Sequence, residues 1–385
     1  MSQSRADIAA AAADGLRSFA PAISQTPVLI GFDGFVDSII KVVERRDSPD
    51  QFEAIPTIDR FGAKISAAAG RSANFELVTT LKKLGGNGPI MANAMANAGL
   101  PVTYLGAVGH PELHEVFKPF AALAEVHAIA EPGMTDALEF NDGKLMLGKY
   151  DHLLQLGIDE LRHTVGLDAF QGWVGRSRLV AMINWTMMPG TESIWEAMIQ
   201  RILPAVPTEV AGKRRLIFFD LCDPAKREDD DLQRAMKLLS RMNEHADVLL
   251  GLNLAEASHV AKCLGVTIDG DHEAQIESTA ATLREKLDLF GVVVHPRAGA
   301  AAAVRHDDGV KTATFAGPFV SMPKLSTGAG DNFNAGFCLG LLTGLSIEQC
   351  LATGTGTSGY YVREAHSPTL TQLAGFLDEL PVPQN

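Results

Sequence analysis

Ser326-Thr327-Gly328-Ala329-Gly330-Asp331 runs straight into Asn332-Phe333-Asn334-Ala335-Gly336-Phe337. Small, flexible residues lead into an apolar, helix-forming stretch, with one carboxylate at the junction. Such a turn exposes several backbone N–H groups at a helix N-terminus, where they and the helix dipole attract anionic oxygens. Asp331, at the same spot, can accept a proton from a hydroxyl. An anion cradle beside a base is what transfer of a phosphoryl group from a nucleotide to an alcohol requires. The same pattern also fits the Gly-rich strand-to-helix turns of many α/β proteins, most of which bind nothing.

The rest of the chain narrows the choice. It has 385 residues, 46% hydrophobic and 21% charged, an ordinary globular composition. The net charge of −13 argues against a nucleic-acid partner and gives no reason to expect anionic membranes. Cys222, Cys263, Cys338 and Cys350 form no Cys-x-x-Cys pair and sit in apolar surroundings, which reads as a reduced, cytoplasmic protein. The N-terminus lacks a basic region followed by an apolar core, so no signal peptide is expected.

Residues 5–20, rich in alanine, read as an amphipathic helix. Buried strands are expected at 27–30, 102–105, 179–183, 216–219, 248–250 and 292–294, with helices at 194–202, 232–242 and 255–264 between them. Alternating strands and helices predict a mostly parallel sheet covered on both faces, with ligands beyond the carboxyl ends of the strands. Two segments break this rhythm. Residues 38–66 are mixed and charged, with Arg45, Arg46, Asp47 and Pro49 marking a loop. Residues 134–150 place Asn141-Asp142-Gly143-Lys144 between two apolar-rich runs, a hairpin signal. Both segments could form a small β appendage over the ligand edge of the sheet.

Further clusters carry polar chemistry. Leu84-Gly85-Gly86-Asn87-Gly88-Pro89 opens the helix-like stretch from Ile90 to Ala98; its glycines admit a ligand closely, and Asn87 can donate to and accept from hydroxyls. Asp33 and Asp37, in Gly31-Phe32-Asp33-Gly34-Phe35-Val36-Asp37, follow the first strand, where a carboxylate suits vicinal hydroxyls. Asn253-Leu254-Ala255-Glu256 has the spacing of a helix capping box. Asp223 lies in Asp220-Leu221-Cys222-Asp223-Pro224-Ala225-Lys226-Arg227, which equally fits a structural Asp-Pro turn. Gly299 follows Val294-His295-Pro296-Arg297-Ala298, and Gly354, Gly356 and Gly359 fall in a helix-like stretch where they permit either tight helix packing or a close adenine.

In order along the chain, these clusters resemble the ribokinase-like (phosphofructokinase-B type) carbohydrate kinases. Gly-Ala-Gly-Asp before a Phe-x-Ala-Gly-Phe helix looks like the family's C-terminal signature, and Gly-Gly-Asn like its N-terminal one. The resemblance spans roughly residues 28–375. It implies a three-layer α/β/α sandwich with a mostly parallel central sheet and a small β lid. The whole of 1–385 would be one domain, with the lid drawn from about 38–66 and 134–150. It implies an ATP-dependent sugar kinase with Asp331 as the base and Gly328, Ala329 and Gly330 as the anion hole. Asp37 (or Asp33), Gly86, Asn87, Ala137 and Glu139 would meet the sugar. Asn253, Asp223, Gly299 and Gly354 would meet the nucleotide, and Glu256 would support Mg²⁺ through water.

Departures from the family pattern qualify this. Its second Asn is here Ile90, and its leading Asp before the glycine loop is replaced in Leu325-Ser326, which argues against activation by a monovalent cation. The 38–84 stretch is longer than expected. A nucleoside kinase on the same scaffold, with Phe32 or Phe35 stacking on a base, and a sugar-binding regulator without catalysis are the alternatives. No Gly-x-Gly-x-x-Gly follows the first strand, which speaks against a dinucleotide oxidoreductase. Lid hairpins in this family often pair between subunits, so the resemblance also implies a homodimer.

Overall fold

Val28 and Ile30 point to one side of the central sheet, Leu29 and Phe32 to the other. The same alternation runs through the strand Leu179–Ile183, with Ala181 on the first side and Val180 and Met182 on the second. A strand buried on both faces must be apolar at every position, which is why these runs carry no polar alternation. The computed structural model describes residues 3–268 and 271–384.

The central sheet has nine strands. From one edge they are Gly309–Ala316, Gly299–His306, Gly291–Val294, Asp247–Leu252, Leu216–Asp220, Leu179–Ile183, Val28–Phe32, Val102–Gly106 and Glu125–Ala128. All pairings are parallel except the two at the first edge. One side is covered by helices Arg5–Phe19, Asn87–Asn97, Ala329–Thr343, Ile347–Glu364 and Leu370–Asp378. The other is covered by helices including Leu167–Arg176, Asp229–Met242, Leu254–Cys263 and Ile276–Leu287. Each fully buried Leu, Ile or Phe of these layers stabilises the fold by roughly 1.5–3 kcal/mol. The six strands expected from apolar runs all form, displaced by no more than two residues at an end. The edge strand Gly309–Ala316 was not anticipated, because its mostly exposed residues lack a strand-like apolar run.

A second sheet lies apart from the first. Its centre is Phe35–Ser48, paired with Leu77–Gly85, Gln51–Ala54 and Gly133–Phe140, the last continuing into Gly143–Lys149. The hairpin around Asn141-Asp142 therefore forms. The loop expected around Arg45, Arg46 and Asp47 does not: these residues are in the long strand, which turns only at Pro49-Asp50. Charges are tolerated there because the strand end is exposed and ion-paired, as in Arg45 with Asp47 and Arg46 with Glu76. The extra length of 38–84 supplies the strand Leu77–Gly85 and the helix Ile58–Ala67. Phe61 of that helix packs with Ile40, Val42, Leu138 and Phe140 into a separate small core on the sheet's outer face.

Candidate active site

Gly328 caps the helix Ala329–Thr343 in the left-handed region at φ 92°. A Cβ there would lie 3.0 Å from the Tyr361 hydroxyl and 3.1 Å from Ile90, so glycine is needed for both conformation and space. Ile90, where the family pattern has Asn, thus packs against the glycine turn. The first-turn N–H groups have no intrahelical partner. One of them is already engaged: Ala329 N–H donates to the Ser326 carbonyl at 3.2 Å. Gly330 sits against His295, whose Cε1 would be 3.4 Å from a Cβ at that position. His295 stacks on Phe333, and burial pushes its imidazole down to about 4, so the ring is neutral beside the turn.

Asp331 is 6% exposed, yet it forms part of the wall of a cavity of about 560 Å³. Burial pushes its carboxyl up to about 8; a hydrogen bond from Asn87 works against that rise, and the charges of Asp33 and Glu256 add to it. Asn87 Nδ2 donates to Asp331 Oδ1 at 2.9 Å. The same cavity is lined by Asp220, Asp223, Asn253, Glu256, Gly299, Gly328, Ala329 and Gly330. Six separate chain segments therefore converge on one cleft at the carboxyl ends of the parallel strands.

Asn253 and Glu256 form the capping box: Glu256 N–H donates to Asn253 Oδ1, and Asn253 N–H to Glu256 Oε2, each at 2.9 Å. Asp223 N–H donates to the other Glu256 oxygen at 2.9 Å. Two main-chain donors thus hold the carboxylate still and leave its remaining lone pairs for water. Asp223 itself is exposed, in the left-handed region at φ 59°, and paired with Lys226. Asp220 ends its strand inside the cleft; its oxygens accept from Cys222 N–H at 2.9 Å and Asn334 Nδ2 at 2.8 Å. Burial, then the neighbouring Glu256 and Asp331 charges, raise the Asp220 carboxyl well above the usual range.

No three His, Cys, Asp or Glu side chains cage a metal among the described residues. The crowding of Asp220, Glu256 and Asp331, each raised by burial, still suits a hydrated divalent cation that arrives with phosphates.

Two further aspartates, Asp33 and Asp37, follow the first strand of the central sheet. Asp33 is fully buried and saturated: Asn87 N–H and Asn184 Nδ2 donate to Oδ2, each at 2.9 Å, and Gly88 N–H donates to Oδ1 at 2.8 Å. It anchors the start of the helix Asn87–Asn97. Gly86, at φ 92°, lets the chain fold over it, and a Cβ at Gly86 would reach Asp33 Oδ2 at 3.0 Å. Asp37 is 5% exposed; burial raises its carboxyl, opposed by Lys83, Thr135 and Lys144. Asp37 is not part of the cavity wall, whereas Asp331 is.

Several expected contacts lie outside the cavity wall, Asp33, Asp37 and Gly86 among them. Gly354 does not line the cavity: it sits where the helix Ile347–Glu364 crosses Ala329–Thr343, and a Cβ would be 2.8 Å from Phe333. The neighbours Thr355, Ser358 and Gly359 line it instead. Ala137 and Glu139 lie on the open face of the second sheet, Ala137 fully buried and Glu139 paired with Lys41 and Lys144. Asp220, Asn184, Cys222 and Lys83 were not anticipated. Asp220 was findable as a carboxylate at the end of an apolar strand; the neighbouring Asp-Pro pair drew the reading away.

A sequence profile of the prokaryotic ketohexokinase family matches residues 5–380. A ketohexokinase of Haloferax volcanii is 30% identical over 368 residues, covering 95% of this chain and 94% of that protein. Among solved structures, Arabidopsis thaliana ribokinase complexed with ribose and ATP superposes with a TM-score of 0.60 at 16% identity, over 92% of this chain and 99% of that one. A carbohydrate kinase from Agrobacterium tumefaciens gives 0.61 at 17%, over 93% and 98%. A nucleoside kinase of Methanocaldococcus jannaschii shares the fold at 0.58 and 14%, over 92% and 99%. The family match favours a sugar over a nucleoside as acceptor, and an enzyme over a silent regulator. The chain belongs to the prokaryotic ketohexokinase family, and it is an ATP-dependent sugar kinase.

Proposed function

We propose that this kinase transfers the γ-phosphate of Mg-ATP to a primary hydroxyl of a ketohexose. The observation that carries this reading is the Asp331 carboxylate held by Asn87 in the wall of the cavity, beside the Gly328–Gly330 turn. Asp331 takes the hydroxyl proton as the oxygen attacks phosphorus. The free first-turn N–H groups stabilise charge on the transferring group, with Gly330 and Asp331 better placed than Ala329, whose N–H is occupied by Ser326. Glu256 and Asn253 support hydrated Mg²⁺, which supplies charge neutralisation on the phosphates. Asp223, Gly299 and the Thr355–Gly359 stretch face the nucleotide.

Asp37, rather than the saturated Asp33, orients the sugar through vicinal hydroxyls. The second sheet serves as the lid that excludes water. On its open face, Leu81, Ile39, Ala137 and Met146 stand in register across four strands, with Leu81 55% and Met146 49% exposed. An apolar row of this kind suits a second copy of the chain, and we propose a homodimer through it. Among the described residues no helix is long and apolar enough to cross a membrane. Four free cysteines fit a reducing, cytoplasmic setting.

The test is an ATP-consumption assay over D-fructose, D-tagatose, D-ribose, D-glucose and adenosine, with the phosphorylated product identified by mass. Ketohexoses should turn over fastest. Preferential phosphorylation of adenosine, or ATP hydrolysis without sugar phosphate, would overturn the reading.

A further inference from the structure

Cys222 lies two residues beyond the end of the strand Leu216–Asp220, in the left-handed region at φ 58°. Its N–H donates to Asp220 Oδ1 at 2.9 Å, which ties the chain back on itself and turns the thiol into the wall of the active-site cavity. The thiol donates to Asn87 Oδ1 at 3.2 Å. The other end of the same carboxamide, Nδ2, donates to Asp331 Oδ1 at 2.9 Å. Meanwhile Asn87 N–H is held by Asp33 at 2.9 Å, so main chain and side chain are both fixed.

A carboxamide has a donor end and an acceptor end of nearly the same shape. Turned over, Asn87 would set its oxygen against the Asp331 carboxylate and its N–H₂ against a thiol hydrogen. Both contacts would then be lost. A thiol that donates to Oδ1 selects the productive orientation.

We infer that Cys222 is a positioning residue for phosphoryl transfer: its thiol locks the Asn87 amide onto Asp331 Oδ1, so that Oδ2 is the oxygen left to receive the hydroxyl proton. This rests on the reading of Asp331 as the base. Nothing in the capping box or the nucleotide wall depends on it. The chain Cys222–Asn87–Asp331 joins residues 222, 87 and 331 from three elements at the point where the acceptor and nucleotide ends of the cleft meet.

The experiment uses the full chain with D-fructose and Mg-ATP and compares wild type, Cys222→Ala, Cys222→Ser, Asn87→Ala and the Cys222→Ala/Asn87→Ala double variant. Cys222→Ala should lower kcat about five- to tenfold, the equivalent of one lost hydrogen bond, with both KM values within about twofold. Cys222→Ser keeps a donor and should recover most of the loss. In the Asn87→Ala background, removing the thiol should cost nothing further. Wild-type kcat in a folded Cys222→Ala enzyme overturns the inference. So do additive losses in the double variant, or a serine variant no better than alanine. If Cys222→Ala fails to fold, Cys222→Ser decides: a kcat as low as that of Asn87→Ala overturns the inference. Asp331→Asn, run alongside, separates the two readings. If that variant turns over normally, the base assignment falls; if it is inactive while Cys222→Ala is unaffected, only the role of Cys222 falls.

Discussion

The cleft at the ends of the central strands and the open face of the second sheet are both rich in carboxylates, but they hold them in opposite ways. In the cleft, burial pushes Asp331 up to about 8 and Asp220 well above the usual range, and their partners are amides and main-chain N–H groups. In the second sheet, Arg60 and Lys64 hold the Glu44 carboxyl below the usual range, and Glu139 bridges Lys41 and Lys144. Neutral donors fix a carboxylate in place and lower its basicity too little to cancel the effect of burial. Cations would lower it and spoil a base. The difference fits the proposed division, with chemistry in the cleft and substrate enclosure at the second sheet.

The largest test of this contrast is Asp331→Asn. It should lower kcat by roughly 10²–10⁴-fold, as loss of a general base does, while ADP still binds. The wild-type enzyme should show kcat/KM rising tenfold per pH unit and levelling near pH 8, where Asp331 ionises. The sign for stability runs the other way. Between its ordinary value of 3.8 and about 8, Asp331 is protonated when folded and ionised when unfolded. Its contribution to stability is therefore complete below 3.8 and lost as pH rises through about 8. The Asn variant should melt above wild type at pH 9, with the gap closing by pH 5. A gap that is constant with pH would show that Asp331 is not raised.

Phe61→Ala should act on the second sheet alone. Phe61 stacks on Phe140 at 5.6 Å and meets Phe75 edge-on at 5.2 Å, with no part in the cavity. Emptying that site costs about 3–5 kcal/mol of local stability. Sugar KM should rise while ADP affinity, read by calorimetry, stays put; equal loss of both would mean that the two regions fold as one. Gly354→Ala should lower stability by about 1–3 kcal/mol through overpacking against Phe333, with little effect on ATP KM, because this glycine faces a helix and not the nucleotide. A large ATP effect would restore its nucleotide role. Glu44→Gln should lower the melting temperature only slightly, because its partners Arg60 and Lys64 are exposed, and should change neither KM.

Legibility followed the same division. The cleft could be read because each of its parts is local: a glycine turn before a helix, a carboxylate at its first turn, an Asn-x-x-Glu box, Gly-Gly-Asn at another helix start. The second sheet could be read only at its hairpin. Its central strand carries Lys41, Glu44, Arg45 and Arg46, which mimic a loop, and its partner Leu77–Gly85 is exposed at five of its nine positions. Sheets with one open face have weak patterns, because half their side chains answer to solvent or to a ligand rather than to a core.

From sequence alone followed the layered fold and the choice of Asp331, Asn253 and Glu256 as residues that meet at one cleft, since these depend on spacing within a few residues. The tertiary structure decided that Asp33 is a buried anchor held by three donors, that Gly354 packs against Phe333, and that the Cys222 thiol meets Asp331 through Asn87. Those outcomes depend on which donors arrive from segments tens to hundreds of residues away. A hydrogen bond reaches about 3 Å, so no pattern along the chain can encode it until the sheet brings its strand ends together.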